Sequence, residues 1–68
     1  MENVKGFKNL TPEQQNLLIA TNTKHKAGVG TEYKDGLTPV KVVPDYNRLR
    51  VWFKNGIWLY YTKDGSWY

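Results

Sequence analysis

The chain has 68 residues, a net charge of +4 and a pI near 9.5, with 40% of its residues apolar and 15% aromatic. That length leaves no room for a second domain and only a small core, so stability has to come from tightly packed rings or from self-association. There is no cysteine and His25 is the one histidine, which excludes a disulfide framework and a tetrahedral metal site; no cofactor is implied.

Residues 1 to 10 carry Lys5, Gly6 and Lys8 without periodicity and read as a flexible leader to a single small domain over residues 11 to 68. Thr11-Pro12-Glu13-Gln14 is a helix start. Thr11 caps, Pro12 suits the first turn, Glu13 favours the positive end and Gln14 completes a capping box. Leu10, Gln14, Leu17, Leu18 and Thr21 then fall on one side, which predicts a helix over about 12 to 24 that frays near Lys24-His25-Lys26. These three cations read as partners of the helix dipole rather than as phosphate contacts. The longest apolar run, Leu17 to Ala20, is too short for a signal peptide or a membrane span, so a cytoplasmic location and no membrane partner are expected.

Beyond Gly28-Val29-Gly30, which reads as linker, a pattern recurs three times. Tyr33-Lys34-Asp35-Gly36-Leu37, Phe53-Lys54-Asn55-Gly56-Ile57 and Thr62-Lys63-Asp64-Gly65-Ser66 each look like a hairpin tip with glycine where positive φ is needed. Pro44-Asp45-Tyr46-Asn47 supplies a fourth turn. The expected fold is therefore α+β and mostly β: a short N-terminal helix followed by a five-stranded antiparallel meander, with strands at about 29 to 33, 38 to 43, 48 to 54, 57 to 62 and 66 to 68. Its twist tends to curl it toward a small SH3-like or OB-like barrel.

The length of the Lys54-Asn55-Gly56 loop decides which side chains share a face. A two-residue turn mixes Arg48, Arg50 and Lys54 with Ile57, Leu59 and Tyr61, which makes a poor core. A three-residue loop with a glycine bulge puts Leu49, Val51, Phe53, Ile57, Leu59 and Tyr61 together, and sends Arg48, Arg50, Trp52, Trp58, Tyr60 and Thr62 to the other side. The second arrangement is the one predicted. The same loop at 63 to 65 pairs Tyr61 with Trp67 inside and Tyr60 with Tyr68 outside, adding Ser66 and Tyr68 to the outer face.

Catalysis is not expected. The one serine, Ser66, lies at a turn, and Glu13, Asp35, Asp45 and Asp64 have local roles in a helix start and in turns. The stretch Asn55-Gly56-Ile57-Trp58-Leu59-Tyr60-Tyr61-Thr62-Lys63-Asp64-Gly65-Ser66 resembles one repeat of the choline-binding cell-wall modules. Those modules build their aromatic cages between consecutive repeats, and here there is a single one, so convergence on a good hairpin explains the likeness. In size and basic composition the chain resembles small prophage-encoded proteins, although no motif carries that.

Rings and guanidinium groups on one sheet face suit single-stranded nucleic acid, which makes a non-enzymatic nucleic-acid-binding module using Arg48, Arg50, Trp52, Trp58, Tyr60 and Tyr68 the leading expectation. The alternative is a small protein-interaction regulator or inhibitor using the same face, because Trp, Tyr and Arg also dominate interface hot spots. A competing structural reading buries Trp52 and Trp58 beneath the helix with the arginines at the rim. The uncharged edge Ser66-Trp67-Tyr68 predicts a monomer or a weak homodimer paired through it.

Overall fold

In the computed structural model, which describes residue 1 and residues 3 to 68, helix α1 spans Pro12–Ala27. Its start is the capping box: the Gln14 amide donates to Thr11 Oγ1 at 3.2 Å, and the Thr11 amide donates to Gln14 Oε1 at 2.9 Å. The helix runs past the predicted end because its last turn is held by packing, with Leu18, Thr21, Asn22 and His25 buried.

Strands β1 (Pro39–Asp45), β2 (Arg48–Phe53) and β3 (Trp58–Thr62) form one antiparallel sheet in the order β1-β2-β3. The expected five-stranded, barrel-like meander is thus corrected to an open three-stranded sheet among the described residues, because β1 and β3 do not pair. The first expected strand is helical. Thr31–Lys34 forms a short helix, α2, and Asp35–Leu37 a 3₁₀ turn. Amides in this stretch bond locally, Tyr33 to the Gly30 carbonyl at 3.0 Å and Thr38 to Asp35 at 3.1 Å. Thr31, Glu32, Tyr33 and Lys34 are all exposed, so the stretch has no apolar alternation for a strand to bury, and Tyr33 to Leu37 is not a hairpin tip. At the other end, residues 66 to 68 make a fringe rather than a strand: Tyr61 bridges Trp67, and Tyr60 and Tyr68 exchange backbone hydrogen bonds at 2.9 and 3.1 Å.

The three-residue loop forms as its glycine predicts. The Phe53 amide donates to the Ile57 carbonyl at 2.9 Å, the Gly56 amide returns to Phe53 at 2.9 Å, and Gly56 takes φ 93°. One register shift marks β1, where Pro39 opposes Phe53 but Lys41 opposes Trp52, leaving Val40 unpaired. This bulge lets Pro39 and Val42, three positions apart, both be buried.

Leu18 of α1 joins Val42, Leu49, Val51, Phe53 and Tyr61 from one sheet face in the core. Residues 3 to 10, read from the sequence as part of a leader, supply Val4, Phe7 and Leu10 to the same core. Lys5 lies parallel to β1, its amide donating to Val40 at 3.0 Å while its carbonyl accepts from Val42 at 2.8 Å. Gly6 then turns at φ 90°, where an added Cβ would stand 2.2 Å from the Val42 carbonyl oxygen. Ile57, expected inside, remains exposed at the hairpin tip.

A polar cluster closes the core. The Asn22 amide group donates to the Leu37 carbonyl at 2.9 Å and to the Tyr61 hydroxyl at 3.1 Å, and that hydroxyl lies 3.0 Å from His25 Nδ1. All three groups are satisfied when Tyr61 donates to an unprotonated Nδ1. Trp67 stacks on the His25 ring with centroids 4.6 Å apart. Burial pushes the Tyr61 pKa up to about 12, and burial also lowers that of His25.

Two outcomes follow. Gly6→Ala should lower the melting temperature far more than Gly56→Ala: both carry a positive φ worth about 1 to 3 kcal/mol to a side chain, but only the first drives a methyl into backbone, since nothing lies within 4 Å of the second. Equal losses would show that the Gly6 contact does not matter. Because the folded pKa of His25 is depressed, its contribution to stability is complete above its unfolded value of about 6.5 and is lost as pH falls below it. Thermal melts between about pH 7 and 5 should therefore show a declining midpoint that His25→Gln removes; a decline that survives the substitution would assign it elsewhere.

Candidate nucleic-acid interface

Backbone pairing arranges the face opposite α1 into three cross-sheet rows. The register of both hairpins and the Lys5–Lys41 bridge bring Lys5, Lys41, Trp52 and Trp58 side by side in the first row. Val43, Arg50, Tyr60 and Tyr68 make the second, and Asp45, Arg48, Thr62 and Ser66 the third. Neighbours within a row are a strand spacing apart, about 4.8 Å, and rows repeat every two residues, about 7 Å.

All six residues predicted for binding, Arg48, Arg50, Trp52, Trp58, Tyr60 and Tyr68, come together on this face. Tyr61, Phe53 and their neighbours take the other side and carry α1, so the helix does not cover Trp52 and Trp58. Trp58 is 46% exposed and Tyr68 59%. Trp52 and Tyr60 are half-buried. The Arg48 guanidinium carbon lies 3.7 Å from the Tyr60 ring centroid, and that of Arg50 lies 4.9, 5.3 and 5.9 Å from Trp58, Tyr60 and Trp52. Lys41 Nζ stands 4.9 Å from the Trp52 centroid. These are cation–π distances.

Hydrogen bonds fix the same groups. Arg48 Nη1 donates to the Tyr68 hydroxyl at 2.5 Å and Arg50 Nη2 to the Tyr60 hydroxyl at 2.8 Å. The Tyr68 bond raises the Arg48 pKa above its ordinary value, and a guanidinium is charged at any accessible pH in either case. Trp58 packs edge-on against Tyr60 at 5.3 Å, and Tyr60 tilts against Tyr68 at 5.3 Å. Asp45, at the end of β1, supplies the one carboxylate in the rows, 3.4 Å from Arg48 Nη2 and 3.8 Å from Arg50 Nη2. Beside it the turn residue Tyr46 is 98% exposed and takes φ 56°, a left-handed conformation rare for a bulky residue.

Sequence reasoning missed Lys5, Lys41 and Asp45. Lys41 joins the face by alternation with Val43 and Asp45 in the register set by the turn at residues 46 and 47, and Lys5 through a non-local parallel bridge to Lys41 that no local pattern signals. Lys24 and Lys63 lie elsewhere, lining a cleft with Leu17, Thr21 and Gly65, and His25 is buried rather than presented to a ligand. Among the described residues no group of three or more His, Cys, Asp or Glu is placed to hold a metal ion, and no helix is long and apolar enough to cross a membrane.

Compared with protein-family models, curated proteins and solved structures, the chain matches none.

Arg50 is central to this surface as a structural part as well as a charge. Arg50→Ala should lower stability by about 2 kcal/mol, the order of one charge-assisted hydrogen bond, measured by chemical denaturation. An unchanged midpoint would mean that the rings hold their places without it.

Proposed function

We propose that this chain is a non-enzymatic module that binds single-stranded nucleic acid across the open face of its sheet. The observation that carries the reading is the packing of charge against ring on that face: Lys41 lies over Trp52, Arg48 over Tyr60 and Arg50 over Trp58, with Lys5 beside Lys41 and Tyr68 beside Tyr60. Bases stack on exposed rings without regard to sequence, and phosphates pair with cations beside them. A flat sheet face with few groups fixed to read base edges favours affinity for any single strand over recognition of one sequence. The same reading sets the protein's work in the cytoplasm, with nucleic acid as partner and no membrane.

Oligothymidine added to the protein should change its tryptophan fluorescence. Trp58→Ala should weaken binding by about 1 to 3 kcal/mol through lost stacking. Lys41→Ala should weaken it less, and should flatten the slope of log affinity against log salt by about 0.7 for one lost phosphate contact. Both variants should melt close to the unsubstituted chain, because Trp58 and Lys41 are exposed. Oligothymidine affinity that is indifferent to Trp58→Ala would rule this face out. No affinity for DNA or RNA at low salt, together with salt-insensitive binding of a protein at the same face, would replace the reading with that of a protein-interaction regulator.

A further inference from the structure

The Asp45 carboxylate stands against the two arginines of a face rich in cations and rings. One of its oxygens, Oδ2, is shared between two guanidinium groups, at 3.4 Å from Arg48 and 3.8 Å from Arg50. Charge-assisted pairs of this type close to about 2.7 to 2.9 Å when the fit is good, and a guanidinium offers five N–H donors. Both contacts are therefore loose and both arginines keep donors to spare. Arg50 Nε, buried and without a hydrogen-bond partner among the described residues, is not one of those open to a ligand. Each arginine also donates to a tyrosine hydroxyl, Arg48 through Nη1 to Tyr68 and Arg50 through Nη2 to Tyr60, contacts that do not involve the carboxylate.

On the reading of this face as a single-strand binder, we infer that Asp45 marks a phosphate subsite: its carboxylate stands where a phosphodiester would sit between Arg48 and Arg50, and a bound strand displaces it. A phosphodiester brings two non-bridging oxygens to the two guanidinium groups, whereas Asp45 brings one, so exchange improves the pairing. Asp45 then sets how tightly the face binds. It neutralises part of the charge in the free protein and makes every ligand compete with an internal anion, which suppresses weak capture of isolated phosphates more than capture of a strand that also stacks on Trp58, Tyr60 and Tyr68.

The experiment compares oligothymidine affinity, over a series of salt concentrations, for the unsubstituted chain, Asp45→Asn and Asp45→Ser, two neutral residues that suit a turn. Both variants should bind about three- to tenfold tighter at low salt, as expected for removing competition from exposed ion pairs, with a salt slope steeper by about 0.7. In the unsubstituted chain, the carboxyl carbon resonance of Asp45 should move as oligothymidine is added. Folded variants that bind no tighter, or a carboxyl resonance that stays fixed while the strand binds, overturn the subsite yet leave the face standing if Trp58→Ala still weakens binding. Failure of the unsubstituted chain and both variants to bind at all overturns the face and the subsite together.

Discussion

The loop at residues 54 to 56 sets the parity of the whole sheet. Side chains alternate across a strand with a period of two, so one residue more or fewer in the loop would exchange the two faces of β3 against β2. Gly56 at φ 93° closes the three-residue form, and Leu49, Val51, Phe53 and Tyr61 gather on one side as a result. The residues they leave behind, two arginines and three large rings, have no choice but the other side. The core and the candidate interface are thus complementary products of a single turn.

Packing then makes the two faces unequal. Helix α1 can dock only where there is apolar surface for Leu18 to meet, and it finds that on the Tyr61 side. Its polar residues Asn22 and His25 are drawn in with it and are reconciled to burial by the Tyr61 hydroxyl, which accepts from one and donates to the other. Among the described residues the opposite face has no second layer. There the arginines take over part of the covering task by lying against the rings, which shields apolar carbon while leaving the charge near water.

What was legible in the sequence was whatever local spacing encodes. The capping box at Thr11 to Gln14 and the glycines of the two later hairpin loops each act over three or four residues, and the helix start, the faces of β2 and β3 and the Tyr61–Trp67 and Tyr60–Tyr68 pairings could be read from them. The rest depends on distant partners. Val4 and Phe7 flank Gly6 in a run too short to show a strand or helix pattern, and their burial goes with the bridge from Lys5 to β1. Residues 31 to 37 contain turn residues that suit a hairpin and a helical turn equally, and the absence of an apolar partner decided for the helical turn. His25 looks like a cation for the helix end until Trp67, far along the chain, closes over it. The barrel failed for a related reason: with the first expected strand helical, no strand remains to join β1 to β3.

The stacked arginines have a further consequence for the thermodynamics of any encounter on this surface. A free arginine side chain samples many rotamers, and fixing one on binding forfeits up to about 2 kcal/mol of conformational freedom. Here Arg48 and Arg50 are already confined by hydroxyls and ring faces, so that entropy is surrendered when the chain folds. A ligand binding this face would meet a preorganised platform, its contacts opposed mainly by its own ordering rather than by that of the protein.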